Sequence, residues 1–155
     1  MTGILEWDLP ALQSSLHLSE DEVRAYFTDG RRVSFILERR LMREVLGGRL
    51  ADSEGDGYDV LDRKGRKWEV RSVTRGGIYF CPSYMVGSGR KFDCDGFLRK
   101  LDDIYGYAIS DVTGFPQVPY WLVTAAEVRN WWDSNRLGPS TQISRDKALV
   151  LLKNM

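Results

Sequence analysis

The segment between Gly57 and Arg71 constrains the fold most strongly, because apolar and polar residues alternate along two short runs that flank a glycine turn. The apolar members are Tyr58, Val60, Trp68 and Val70. Alternation with a period of two is typical of a strand with one buried face, and Lys64-Gly65 is a turn signal. The segment therefore predicts two antiparallel strands that place one apolar face on a core.

Apolar residues elsewhere recur at helical spacing, so helices surround this hairpin. Predicted helices cover 10–18, 19–28, 32–46, 93–104, 125–133 and 144–154. Predicted strands cover 49–51 or 58–61, then 67–74, 78–81, 105–111 and 120–124. The second helix opens with the capping-box pattern Ser19-Glu-Asp-Glu22, and Gly47-Gly48 ends the third. The order predicts a single α+β domain with a helical extension over 1–30, a core over 31–125 and a second helical extension over 126–155.

Composition excludes several classes of protein. The 155 residues carry 22 basic and 22 acidic side chains, so the formal net charge is zero and does not by itself indicate a polyanion partner. No apolar run reaches the roughly 18 residues of a membrane span, and the first ten residues do not resemble a signal peptide. Cys81, Cys94 and His17 lack the spacing of a zinc site. We expect a cytoplasmic protein with free thiols and no membrane partner.

An acidic pair on the predicted hairpin points to chemistry. Nine residues separate Asp59 from Glu69, and Arg71 shares a strand face with Glu69 because the two lie two positions apart. The apolar residues of the hairpin already supply the core face, so these charged side chains project from the opposite face. Two carboxylates and a cation at one sheet edge can hold a divalent metal beside a phosphodiester, as metal-dependent DNA cleavage requires.

The pattern resembles the PD-(D/E)XK nuclease superfamily, whose signature is an acidic residue, a variable gap, then Asp or Glu, an apolar residue and Lys. Here Asp59 is followed by Glu69-Val70-Arg71, and Glu38 matches the glutamate that the family often carries on the preceding helix. The resemblance covers roughly residues 33–124 and is closest to small type II restriction endonucleases. It implies a restriction endonuclease-like core, a central mixed β-sheet flanked by helices in αβββαβ order.

Arg71 stands where the resemblance calls for lysine. Arginine keeps the charge but cannot act as a base at neutral pH. Three alternatives remain open: Arg71 orients water and stabilises developing charge, a lysine such as Lys67 or Lys91 supplies the missing role, or the protein binds DNA without cutting it. We favour the first, because the remaining residues of the motif are intact.

Other assignments also stay open. Asp56 and Asp62 rival Asp59 as metal ligands because the strand register is not fixed by sequence, and Glu54 could reach the site from the preceding loop. Glu69 and Arg71 could instead form exposed cross-strand ion pairs, contributing only ~0.5 kcal/mol each.

The charge distribution favours a phosphate partner more than the net charge does. Between positions 63 and 91 there are eight basic residues and one acid, a local excess that could neutralise several phosphates. The candidate DNA contacts are Arg66, Lys67, Ser72, Thr74, Arg75, Tyr84, Ser88, Arg90 and Lys91.

The expected function is that of a Mg²⁺-dependent deoxyribonuclease, a small type II restriction endonuclease or its catalytic subunit, with Mn²⁺ as a substitute metal. The resemblance implies that Asp59 and Glu69 hold the metal, that Glu38 and Arg71 complete the catalytic set, and that products carry a 5′-phosphate and a 3′-hydroxyl. Double-stranded DNA and a homodimer or a partner subunit are the expected partners. The alternatives are a non-catalytic DNA-binding or protein-interaction module on the same fold, with a degraded site, and an unrelated α+β domain.

Overall fold

The computed structural model describes residues 1–155 and is an α+β fold with six helices. The strands are β1 (Thr2–Glu6), β2 (Arg49–Leu50), β3 (Val60–Leu61), β4 (Lys67–Val73), β5 (Ile78–Tyr79), β6 (Gly106–Asp111), β7 (Gln117–Thr124) and β8 (Gln142–Ile143). The helices are α1 (Leu9–Leu16), α2 (Glu20–Phe27), α3 (Gly30–Leu41), α4 (Cys94–Asp103), α5 (Ala125–Asp133) and α6 (Arg145–Lys153). The α+β class predicted from the sequence is confirmed.

Six strands form one mixed sheet in the order β1-β7-β6-β4-β3-β2. All neighbours are antiparallel except β4 and β6, which run parallel. Parallel neighbours need a crossover connection, and α4 lies within it. The remaining strands, β5 and β8, pair with each other in a separate two-stranded sheet.

The predicted hairpin forms, with Val60 opposite Trp68. Val60, Trp68 and Val70 are buried in one core cluster, which also contains residues of α2 and α3. Tyr58 differs from this pattern, because it packs against the other cluster, which α4, α5 and α6 cover. The two clusters place helices on both faces of the sheet, and burial of their apolar side chains is the main stabilising contribution.

The ends of α2 and α3 follow from their capping residues. Ser19 and Glu22 form the predicted capping box at the start of α2. Asp29 caps α3 by accepting hydrogen bonds from the backbone amides of the next turn. This helix continues as a π-helical turn over Met42–Leu46 and stops at Gly47, whose φ of 67° lies in the left-handed region.

Two strands differ from the prediction. Residues 2–6, predicted as part of a helical extension, form β1 and pair with β7 at the edge of the main sheet. Residues 78–81 were predicted as the third strand of the hairpin sheet, but β5 pairs with β8 instead. The reason is that β3 and β6 already occupy both edges of β4, so β2, β3 and β4 form the three-stranded meander.

The cysteines contribute no cross-link. Cys81 is buried, Cys94 is exposed, and both are free thiols. No helix has the length and apolar character needed to cross a membrane.

Candidate active site

Asp59 and Glu69 are brought together by the β3–β4 pairing. Asp59 immediately precedes β3, and its backbone amide donates to the Trp68 carbonyl at 3.0 Å. Its Oδ2 accepts a 2.7 Å hydrogen bond from the Val70 amide, which fixes the carboxylate against β4. Glu69, the residue before Val70, is 7% exposed and points to the same side of the sheet as Arg71. The register therefore selects Asp59 as the acid that faces Glu69.

Glu38 approaches this pair from α3. Burial, with further repulsion from the Asp59 carboxylate, raises the pKa of Glu38 to about 7. Burial and the Glu69 carboxylate raise the pKa of Asp59 to about 6. The carboxylates of Glu38, Asp59 and Glu69 are therefore close enough to repel one another in a partly buried site. Such crowding of negative charge favours a bound cation.

Arg71 is buried beside Glu69, with only 11% of its side chain exposed. Its Nη2 lies 2.7 Å from Glu69 Oε1 and donates to the Cys81 carbonyl at 3.4 Å. Burial opposes ionisation, but the Glu69 carboxylate, together with Asp59 and two nearby tyrosines, keeps the pKa of Arg71 above its usual value. Its Nε is buried without a hydrogen-bond partner. The alternative of an exposed cross-strand pair is wrong, because the Glu69–Arg71 ion pair is buried.

Lys100 is the site residue that the sequence analysis missed. Its Nζ lies 2.5 Å from Glu69 Oε2 and also donates to the Gly57 carbonyl, and 12% of its side chain is exposed. The charged residues of α4 are typical of a solvated helix face, but Lys100 is buried against Glu69. The sequence contains a signal for this position. Residues 97, 100, 101 and 104 lie on one face of the helix, and three of them, Phe97, Leu101 and Ile104, are apolar, so Lys100 shares the buried face.

The two lysines proposed as substitutes lie elsewhere. Lys67 pairs with Asp103 at 2.6 Å, and Lys91 is exposed outside the cleft. Lys100 is therefore the lysine that reaches the acidic pair.

The rival acids have other roles. Asp62 is buried in the β3–β4 turn, where its carboxylate accepts hydrogen bonds from the Trp68 indole and the Arg66 guanidinium. Although burial opposes the shift, these bonds lower the pKa of Asp62 to about 2. Asp56 caps a short 3₁₀ turn through bonds from Ser53, which lower its pKa. Glu54, in contrast, lines the cleft beside Asp59.

An open cleft surrounds the acids and has two arms. The large arm, of about 1320 Å³, lies between α2, α3 and the end of β4. The small arm, of about 720 Å³, lies between the loop preceding β3, helix α4 and the turn at residues 82–84. Glu38, Asp59 and Arg71 line both arms. We call these three residues the ridge.

The predicted DNA contacts divide between the cleft and the outside. Ser72, Thr74, Arg75 and Arg90 line the large arm, which also holds Arg31, and Tyr84 lines the small arm. The remaining ones, Arg66, Lys67, Ser88 and Lys91, lie outside both arms. The Arg66 guanidinium pairs with Asp62 and lies 3.9 Å from the centroid of the Tyr105 ring, so its contacts are within the protein.

The donor set fits a divalent cation of the Mg²⁺ type. No group of three or more His, Cys, Asp or Glu side chains is close enough to form a metal site by itself. Mg²⁺, however, is usually bound through one or two carboxylates together with substrate phosphates, and it keeps several waters. Asp59 and Glu38 supply that number of carboxylates, whereas Glu69 could contribute only by giving up its contact with Arg71 or Lys100.

The crowded acids predict a pH-dependent stability. A carboxyl whose pKa is higher in the folded protein than in the unfolded chain destabilises the fold as it ionises. For Glu38 this loss of stability begins above pH 4.5 and is complete above about pH 7. Glu38→Gln should therefore raise the free energy of unfolding by about 1–3 kcal/mol at pH 8 and by almost nothing at pH 4. Urea unfolding in EDTA at both pH values measures this, and equal stability of the two proteins at pH 8 would contradict it.

No protein-family model matches this chain, and neither a curated protein nor a solved structure matches it significantly.

Proposed function

We propose that this protein is a metal-dependent deoxyribonuclease that hydrolyses phosphodiester bonds at the ridge. The observation that carries the proposal is the meeting of Glu38, Asp59 and Glu69 with two cations, Arg71 and Lys100, in one open cleft. Acids that hold a metal and cations that stabilise a phosphorane-like charge are the parts that phosphodiester hydrolysis needs.

The fold supports the same proposal. When β5 of the second sheet, which lies between β4 and α4, is set aside, the elements α3, β2, β3, β4, α4 and β6 occur in αβββαβ order, with Glu38 on the helix and the acidic pair on the meander. This is the order that the resemblance to restriction endonuclease-like enzymes implies.

Because Arg71 stands where the motif has lysine, another residue has to supply the role of that lysine. In our proposal Lys100 takes the role of the motif lysine, donating to the attacking water from the helix rather than from the strand. Arg71 holds Glu69 in place and faces the charge that develops on the phosphate oxygens. Both cations contact Glu69, so one carboxylate sets the positions of both.

Asp59 with Glu38 or Glu69 would hold Mg²⁺, or Mn²⁺ in its place. The ion would supply charge neutralisation of the phosphate and activation of water at neutral pH. The residues of the chain position it: the Val70 amide orients the Asp59 carboxylate, and α3 brings in Glu38.

The large arm is the proposed path of the DNA backbone. Arg31, Arg75 and Arg90 can neutralise phosphates, and the Ser72 and Thr74 hydroxyls can donate to phosphate oxygens. One site of this kind cuts one strand, so cleavage of both strands of a duplex requires a homodimer with two sites or a partner subunit. A small type II restriction endonuclease, or its catalytic subunit, fits this description.

Incubation with supercoiled plasmid tests the proposal. With Mg²⁺ or Mn²⁺ we expect nicked and linear DNA, and with EDTA we expect none. Absence of cleavage across varied plasmids and both metals, by a protein whose folding is verified by circular dichroism, would overturn it.

One observation favours a second candidate, a non-catalytic DNA-binding module. Both carboxylate oxygens of Glu69 already contact protein cations, Arg71 and Lys100. If those pairs persist with DNA bound, Glu69 is unavailable to a metal. Salt-dependent DNA binding without any cleavage would support this candidate.

A further inference from the structure

The small arm contains an exposed tyrosine beside the ridge. Tyr84 is 61% exposed and lines the same cavity as Asp59, Glu69 and Lys100. Single exposed aromatic residues are common on protein surfaces. Tyr84 differs from them in lying within a concave site whose other residues include the catalytic candidates.

The backbone that carries Tyr84 is anchored on both sides. The next residue, Met85, is buried in the core, so the short 3₁₀ turn Ser83–Met85 directs Tyr84 outward. Arg90 holds this turn by donating to the Ser83 carbonyl at 3.0 Å. The Cys81 amide, just upstream, donates to the Thr141 hydroxyl at 2.8 Å. The aromatic ring is therefore presented by a fixed turn.

The first turn of α4 leaves room for the phenol. A Cβ atom added at Gly96 would lie 2.5 Å from Asp93 Oδ2, 2.7 Å from Met85 Cε and 2.9 Å from the Tyr84 hydroxyl oxygen. A side chain at this position would push back the ends of these three side chains, the Tyr84 phenol among them. The absence of a side chain at Gly96 thus permits the position that Tyr84 takes.

The charges of the small arm disfavour a second phosphate. Its walls carry five acids against three cations, and two of those cations, Arg71 and Lys100, are engaged by Glu69. The large arm has a small excess of cations, with five arginines against four acids. A neutral, planar group suits the small arm, and a cavity of about 720 Å³ has the size of a site for one small ligand.

We propose that the small arm is a nucleobase subsite in which Tyr84 stacks on one unpaired base next to the phosphodiester at the ridge. The proposal rests on the proposed nuclease function for the position of that phosphodiester. A base inside a duplex has both faces covered by its neighbours, so only a base that has left the stack can contact the ring. The preferred substrate is therefore DNA with a single-stranded or unpaired nucleotide at the site of attack.

The test measures binding of fluorescein-labelled oligonucleotides by anisotropy, in EDTA so that no cleavage intervenes. The ligands are a 12-nucleotide single strand, the matched duplex, the same duplex with one unpaired base, and the single strand with abasic positions throughout its centre. The proteins are wild type, Tyr84→Ala, Tyr84→Phe and Phe35→Ala. Phe35 is the matched control, because it is an aromatic residue of 60% exposure that lies outside both arms.

Loss of one base–aromatic stack should weaken single-strand binding by Tyr84→Ala roughly 5- to 150-fold. Tyr84→Phe and Phe35→Ala should bind within about twofold of wild type, because Phe keeps the stacking ring. The unpaired-base duplex should behave like the single strand. The fully paired duplex and the abasic strand should show no difference between wild type and Tyr84→Ala.

Equal single-strand binding by wild type and Tyr84→Ala would overturn the proposal, as would an equal loss on the abasic strand. The outcome is separable from that of the nuclease proposal. Plasmid cleavage without any effect of Tyr84→Ala removes the subsite and leaves the nuclease. Tyr84-dependent binding without cleavage by wild type supports the subsite and removes the nuclease.

Discussion

Replacing Asp59 with alanine should lower the rate of metal-dependent DNA cleavage by roughly a thousandfold or more. Asp59 is the acid that the β3–β4 register directs toward Glu69, and its carboxylate is held by the Val70 amide. The alanine variant removes the proposed metal ligand and leaves that amide without its partner. The measurement is single-turnover cleavage of a labelled plasmid across a range of Mg²⁺ and Mn²⁺ concentrations.

Two variants separate catalysis from folding. Asp59→Asn keeps an oxygen for the Val70 amide and removes the repelled charge, so it should be equally inactive yet unfold at a higher urea concentration than wild type at pH 8. Asp52→Asn changes an exposed acid paired with Arg49, on the loop before β3 but outside the cleft, and should cleave normally. Full activity of Asp59→Asn would mean that the metal assignment is wrong.

Replacing Lys100 with methionine should lower the cleavage rate by roughly a hundredfold to a thousandfold and also destabilise the fold. Methionine keeps the length of the stem and removes the ammonium group, so Glu69 retains only Arg71 as a partner. Removing one partner of a buried ion pair costs about 3–5 kcal/mol, and we expect somewhat less here because Arg71 remains. Chemical unfolding and cleavage kinetics measure the two effects.

A double-mutant cycle with Glu69→Gln shows whether the stability effect arises from this pair. Glu69→Gln should destabilise the Lys100→Met protein less than it destabilises wild type, because in the variant it deprives only Arg71 of its carboxylate partner, and it should recover no activity. Lys153→Met, at the exposed end of α6, is the matched control. If Lys100→Met cleaved DNA at the wild-type rate, Lys100 would have no catalytic role and Arg71 would be the only catalytic cation.

The sequence predicts the helices and the hairpin well, for a physical reason. Alternation over Trp68 and Val70, and the capping box at Ser19, are local signals, and local signals specify local structure. Helix α5 is an example, because the predicted and the observed helix both cover Ala125–Asp133.

The site is less predictable, because it depends on contacts that are distant along the chain. Which of Asp56, Asp59 and Asp62 faces Glu69 follows from strand register, and a shift of one residue reverses every side chain. Lys100 reaches Glu69 only because the parallel pairing of β4 and β6 places the crossover helix over β4. No spacing rule along the sequence carries that information.

The strand at the start of the chain has a consequence for synthesis. Thr2 pairs with Trp121, and Glu6 with Gln117. At about 5–20 residues per second, the first strand waits roughly 6–24 s before its partner leaves the ribosome. During that interval its strand partner β7 is absent, and contacts of such long range are slow to form. β1 is therefore synthesised well before β7 and takes its place at the edge of the sheet only after β7 has emerged.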